Sequence, residues 1–160
     1  RSASPYASSY TGTSGVQFSE VSFAFDTGIV KVMRVLPVQA CGLIVDRLTS
    51  ECQVHGGIIG ALTFALFEDR ILDRNTGQMV NPNMEWYSVP GMSDVPQIDI
   101  TIVDQPERGV IGLGEPPIIS TAAAIANAVS NATGGRIRRL PVPPDTGLAA
   151  PQQERAGGAR

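Results

Sequence analysis

An apolar stretch near the centre of the sequence carries three glycines within five positions, Gly56, Gly57 and Gly60. The surrounding residues 46–69 have apolar side chains at helical spacing, so the pattern predicts a helix. Each glycine inside a helix costs about 1 kcal/mol relative to alanine. Since Gln53 and the three glycines stand at i, i+3, i+4 and i+7, they share one face. We predict that this face is a groove, closely approached by a planar ligand or by another backbone.

A second helix is predicted over residues 116–133, directly after the sequence GLGEPP at 112–117. Its apolar residues recur at helical spacing, proline suits the first turn, and Gly134-Gly135 suits the end. Glu115 therefore stands at a helix N-terminus, where the helix dipole favours the ionised carboxylate that a general base requires. The flanking glycines and prolines predict a rigidly placed carboxylate, and an ordinary first-turn acid is the alternative.

Strand patterns surround the two helices. Residues 16–25 and 29–41 alternate as a hairpin would, 70–80 reads as a smaller hairpin, and 97–104 reads as a further strand. Pro37 predicts that the second strand is an edge strand or is broken there. Together these elements predict an α+β fold, with β-hairpins and mixed strands packed against two main helices.

The ordered domain is expected to span residues 16–143. A variable loop is expected over 1–15, and a polar, disordered tail over 144–160. The first residue is arginine rather than methionine, which indicates a processed N-terminus or a fragment. Charged residues make up only 17 % of the chain, which indicates that a partner or another domain covers part of the surface.

Charge and hydropathy narrow the classes of partner. The net charge of −3 gives no reason to expect nucleic acid or an anionic membrane as a partner. No run of about twenty apolar residues is present, so no membrane span is expected. The two cysteines, Cys41 and Cys52, lack metal-ligand spacing and are expected to be buried free thiols, with a disulfide between them as the alternative. A thiol enzyme that pairs one of them with His55 is a further reading.

Seven short motifs follow one another in the sequence: Gln53-Val54-His55-Gly56-Gly57, Ala65-Leu66-Phe67-Glu68, Gly77 to Asn81, Tyr87, Asp94-Val95-Pro96, GLGEPP at 112–117, and Ala122 to Val129. Their order and spacing resemble the C-terminal part of the molybdopterin-binding subunit in the xanthine dehydrogenase/aldehyde oxidase family. The likeness covers about residues 16 to 143. QVHGG and GLGEPP in this order, with the motifs between them, are specific to that family.

The resemblance implies the chemistry of a molybdenum hydroxylase, which oxidises an aldehyde or N-heterocycle with water as the oxygen source. It implies that Glu115 is the base that takes a proton from a molybdenum-bound hydroxyl, while hydride passes to a sulfido ligand. It implies that Gln53 lies against the molybdopterin cofactor, with Gly56 and Gly57 in the same cofactor-binding stretch. The chain would then be part of a larger molybdopterin-binding domain.

The family subunit is several times longer than this chain. The resemblance therefore implies a molybdenum–molybdopterin cofactor, in the mono- or cytosine dinucleotide form, that is shared with the remaining part of the subunit. It implies a 2Fe-2S subunit, an FAD subunit and a small-molecule substrate as partners. An isolated 160-residue chain is expected to be inactive. The expected compartment is the cytoplasm, with the periplasm as the alternative, and a non-catalytic structural or assembly segment is the alternative function.

Overall fold

A long hairpin forms one side of a mixed sheet in the computed structural model, which describes residues 12–149. The strands are β1 (Ser14–Phe23), β2 (Val30–Ala40), β3 (Gln97–Ile98) and β4 (Thr101–Val103). β1 pairs antiparallel with β2, while β3 and β4 pair parallel with the opposite side of β2. The small hairpin predicted over 70–80 is present as a bridge between Leu72 and Met79.

Pro37 lies inside β2, and β2 is an interior strand that continues through it. The prediction of an edge strand or a break at this position is therefore wrong. The interruption falls in the neighbouring segment, because β3 pairs with residues 34–35 and β4 with residues 38–40. Proline has no N–H to donate to a neighbouring strand. Pro37 stands opposite the gap between β3 and β4, where the ladder requires no donor.

Helix α1 spans Arg47–Leu66 and begins at the predicted position. Asp46 is its N-cap and accepts hydrogen bonds from the backbone N–H groups of Leu48 and Thr49, at 3.2 and 3.3 Å. The helical spacing in the sequence predicts an apolar face made of Leu48, Cys52, Ile59, Leu62 and Leu66. The buried face differs from this prediction, because Leu48 and Cys52 are exposed. The buried positions are Val54, Ile58, Ala61, Leu62 and Ala65. Apolar residues lie on more than one side of α1, so helical spacing alone does not define the face that packs.

Asp46→Ala is expected to lower the stability of the chain in a pH-dependent way. The hydrogen bond from the Thr49 hydroxyl is the largest cause that lowers the pKa of Asp46, and backbone N–H groups add to it. Because the folded pKa lies below the unfolded one, this stabilisation is complete above the unfolded pKa and is lost as the pH falls through the folded pKa. Urea midpoints of the wild type and the variant should differ at neutral pH and converge in acid.

Asp46→Asn is the matched control for that prediction, since asparagine caps helices about as well as aspartate. It should unfold close to the wild type at neutral pH. Equal midpoints for Asp46→Ala and the wild type at neutral pH would show that the cap contributes nothing.

Helix α2 spans Pro116–Thr133, the predicted bounds, and ends at Gly134 with φ 75°. α2 packs against β1, and α1 packs against α2. Two threonines, Thr121 and Thr133, are buried, although the apolar pattern did not select them. Each donates its hydroxyl to the carbonyl four residues earlier in α2, at 2.7 and 2.9 Å, so both buried hydroxyls are paired.

After α2 the chain returns toward α1, where Val142 N donates to Ala65 O over 2.8 Å. Residues 144–149 are helical, and Gly147 is packed closely against the ring of Phe23. The other parts of the predicted tail lie outside the described residues, as do residues 1–11 of the predicted N-terminal loop. Within residues 12–149, no helix combines the length and hydrophobicity needed to cross a bilayer. The α+β prediction is confirmed, with a mixed sheet and two main helices.

Candidate active site

A hydrogen bond joins the two motifs that the sequence singled out. Gln53 Nε2 donates to the carbonyl oxygen of Gly114 over 2.7 Å, across 61 residues of sequence. Because a carbonyl can only accept, the side-chain amide of Gln53 is oriented with Oε1 turned away from Gly114. Gly114 directly precedes Glu115, so α1 and the start of α2 bring Gln53 and the Glu115 backbone onto one surface.

The glycines before Glu115 serve the conformation of the backbone. Gly112 has φ 89° and Gly114 has φ 57°, values that residues with a side chain rarely adopt. No atom lies within 4 Å of the position that a Cβ on Gly112 would take. Within the described residues, the left-handed turn rather than a close neighbour therefore accounts for glycine at position 112.

Glu115 occupies the N-cap position of α2 and is exposed. Its carbonyl oxygen accepts hydrogen bonds from Ile118 N and Ile119 N at 2.9 and 3.4 Å, which starts the helix. Its carboxylate makes no capping hydrogen bond. The capping of α2 therefore does not engage this carboxylate.

The glycine-rich face of α1 meets the first turn of α2. A Cβ on Gly57 would lie 2.8 Å from Pro117 Cβ and 3.2 Å from Ile118 N, and a Cβ on Gly60 would lie 3.0 Å from Ile118 Cδ1. The backbone of α2 thus fills this part of the predicted groove. This agrees with one of the two predicted occupants, another backbone, rather than with a planar ligand. Gly56 is exposed, and no atom lies within 4 Å of its Cβ position. Among residues 12–149, nothing covers the groove at Gly56, one turn from Gln53.

A cleft of about 240 Å³ adjoins the GLGEPP turn. It is mostly apolar, and its walls include Leu43, Val45, Val110 and Gly112. These residues come from separate loops and were not predicted as neighbours, because no local sequence pattern links them. The cleft thus reaches the GLGEPP turn at Gly112 and the start of α1 at Asp46, and Glu115 does not line it.

The thiols do not form a catalytic pair with His55. Cys41 is buried, and burial together with the Asp104 carboxylate raises the pKa of its thiol. Cys52 is exposed, so the expectation that both thiols are buried is wrong for it. His55 Nδ1 lies 2.9 Å from the carbonyl oxygen of Glu51, and no hydrogen bond joins the imidazole to either thiol in the described part of the chain. Neither thiol therefore has the hydrogen bond to His55 that the thiol-enzyme reading needs.

Residues 2–96 match the model of the molybdopterin cofactor-binding domain, which defines the class of protein. The chain is 43 % identical to the xanthine dehydrogenase molybdenum-binding subunit of Escherichia coli O157:H7, over 78 % of this chain and 17 % of that protein. It is 37 % identical to an aldehyde oxidoreductase molybdenum-binding subunit of Escherichia coli K12, over 78 % and 18 % of the two chains. The chain belongs to the molybdopterin cofactor-binding family of xanthine dehydrogenase/aldehyde oxidoreductase molybdenum-binding subunits.

Solved structures agree with this assignment. The aldehyde oxidoreductase of Desulfovibrio gigas superposes with a TM-score of 0.76 at 30 % identity, over 88 % of this chain and 15 % of that one. The CO dehydrogenase of Oligotropha carboxidovorans has a TM-score of 0.78 at 23 % identity, over 91 % and 19 % of the two chains, and shows the fold alone. The chain spans less than a fifth of the length of these relatives. The family match ends at residue 96, so it includes Gln53 but not Glu115.

Proposed function

We propose that this chain is a catalytic portion of a molybdenum hydroxylase that oxidises an aldehyde or an N-heterocycle with water as the oxygen source. Glu115 is the base in this proposal. The observation that supports it best is the hydrogen bond from Gln53 to Gly114, because it joins the helix that carries Gln53 to the residue directly before Glu115. The names of the relatives, xanthine dehydrogenase and aldehyde oxidoreductase, support the reaction class for those proteins.

The exposed surface around Gln53 fits one side of a flat cofactor. Gln53 Oε1 is turned away from Gly114 and is available to accept a hydrogen bond, while the open space above Gly56 allows a planar group to approach the helix. Gly57 does not face this open surface. It faces α2, and its lack of a side chain lets α2 lie close to α1. In this proposal Gln53 and Gly56 face the molybdopterin, and the cofactor supplies oxygen transfer and accepts two electrons when bound.

Glu115 holds the proton that the reaction releases. Its carboxylate projects from the start of α2, where it makes no capping bond, and accepts the proton at a carboxylate oxygen. The surface is exposed in this chain, so the remaining part of the molybdenum-binding subunit has to exclude water from it. This chain would then form one wall of a site whose other walls come from the rest of that subunit.

The isolated chain of 160 residues is expected to be inactive and to bind no molybdenum, because one wall offers too few contacts to retain the cofactor. Elemental analysis should find molybdenum only when the chain is purified with the rest of the subunit. The same preparation should contain iron and flavin, from the proposed 2Fe-2S and FAD subunits. Stoichiometric molybdenum in the isolated chain would contradict the proposal.

The remaining assignments extend the same proposal. Two relatives from Paenarthrobacter nicotinovorans are named as a large subunit of nicotine 6-hydroxylase and as subunit gamma of a dehydrogenase complex, at 34 % and 28 % identity, which supports a multi-subunit assembly. We propose the cytoplasm as the compartment, with the periplasm as the alternative, and leave the mononucleotide and cytosine dinucleotide forms of the pterin as alternatives. Cell fractionation and nucleotide analysis of the released pterin test these two assignments.

A non-catalytic structural or assembly role is the other candidate. It predicts that the carboxylate of Glu115 is dispensable for turnover. Turnover of Glu115→Gln in the reconstituted complex separates the two functions, since only the catalytic one requires a base at this position.

A further inference from the structure

Two contacts from one turn of α1 hold the backbone on both sides of Glu115. Gln53 binds Gly114 on the preceding side, and Gly57 packs against Pro117 on the following side. We infer that Gly57 and Gln53 are positioning residues that set where the Glu115 carboxylate stands. The catalytic consequence of this inference rests on the proposed function, whereas the positioning itself does not.

Gly57 is needed because the atoms facing it have little freedom to move. Its Cβ would lie 2.8 Å from Pro117 Cβ, and Pro117 is buried with its ring fixed in the first turn of α2. It would also lie 3.2 Å from Ile118 N, a backbone atom that donates to Glu115 O over 2.9 Å. A methyl group here therefore has to push the start of α2 away from α1, and Glu115 moves with it.

A methyl group at either of the other two glycines, Gly60 and Gly56, would meet less resistance than one at Gly57. A Cβ on Gly60 would meet Ile118 Cδ1 at 3.0 Å, the far end of a flexible side chain that can rotate away. A Cβ on Gly56 would meet no atom within 4 Å from the described part of the chain outside α1. The fit at the start of α2 thus depends on Gly57 far more than on its two neighbours.

Gln53 completes the arrangement from the other side of Glu115. Its hydrogen bond fixes the carbonyl of Gly114, whose left-handed conformation directs the chain into α2. Gln53 and Gly57 are one helical turn apart on α1, so both contacts belong to one rigid element. That element also carries the proposed cofactor-facing groups, and it therefore sets the separation between base and cofactor.

Hydrogen exchange in the native complex, made in a host that cannot synthesise the cofactor, tests the inference without any catalysis. Gly57→Ala should speed exchange at the amides of Ile118 and Ile119, which donate to Glu115 O, by about tenfold or more, because the overpacked contact loosens the first turn of α2. Amides 128–133 should be unaffected. Gly60→Ala and Gly56→Ala should stay near the wild type, and equal exchange in Gly57→Ala and Gly60→Ala would overturn the inference.

Gln53→Met gives a second test with a side chain of similar length and no strong donor. It should speed exchange at the amides of Ile118 and Ile119, which donate to Glu115 O, and it remains informative if Gly57→Ala does not fold. Unchanged exchange there would remove Gln53 from the positioning role.

Turnover by the loaded complex then separates the positioning from the proposed base. Gly57→Ala should lower kcat by about tenfold to a hundredfold with little change in KM, as expected for a small displacement of a reacting group. Gly60→Ala should retain kcat. Faster exchange with unchanged kcat would leave the positioning intact and count against Glu115 as the base, whereas unchanged exchange would count against the positioning.

Discussion

Glu115→Gln is expected to lower kcat by about 10²- to 10⁴-fold, the range that general-base catalysis contributes. Glutamine has nearly the shape of glutamate but cannot accept the proton. The carboxylate makes no capping hydrogen bond and is exposed, so its replacement should leave α2 and the fold unchanged. Because a base acts in the transition state, kcat and kcat/KM should fall by similar factors.

The measurement is steady-state turnover in the reconstituted complex, with molybdenum content and thermal midpoint determined for each preparation. Glu107→Gln is the matched control, since Glu107 is an exposed acid in the same connecting segment and contributes nothing to the proposed site. It should turn over like the wild type. Full cofactor content with near-normal turnover in Glu115→Gln would favour the structural or assembly function.

The sequence predicted elements best where proline and glycine mark their ends. The bounds of α2 follow from the prolines at its start and Gly134 at its end, and α1 begins where Asp46 offers a cap. The sequence predicted packing less well, because the apolar pattern of α1 is compatible with more than one buried face. The prediction of an edge or a break at Pro37 fails for a related reason. The gap between β3 and β4 that accommodates Pro37 lies in a distant segment of the sequence.

The candidate site shows the same division between local pattern and fold. Gln53 and Glu115 were selected by their motifs, but only the fold shows that Gln53 binds the residue before Glu115. Gly56 and Gly57 are neighbours in sequence and were given one role. Since successive residues on a helix point about 100° apart, one of them is exposed and the other faces α2. Which glycine faces which way depends on the position of α2, and no local pattern encodes that.

Ile125→Ala is expected to lower the free energy of unfolding by about 2–5 kcal/mol, the range for truncating a buried isoleucine. Ile125 is fully buried in the core cluster that also contains Ile58 of α1, where the two helices meet. The loss combines the transfer free energy of the removed atoms with the cost of the cavity that they leave. Urea unfolding of the wild-type and variant chains, followed by circular dichroism, measures the difference.

Ile119→Ala is the matched control, because Ile119 lies on the same helix but is 69 % exposed. The same atoms are removed without a cavity, so the change should stay within about 0.5 kcal/mol. If both variants lost the same stability, the loss would not depend on burial, and the contact with α1 would not account for it. A large loss confined to Ile125→Ala would instead show that α1 and α2 are held together by their buried faces, and that same packing keeps Gly57 against Pro117 beside Glu115.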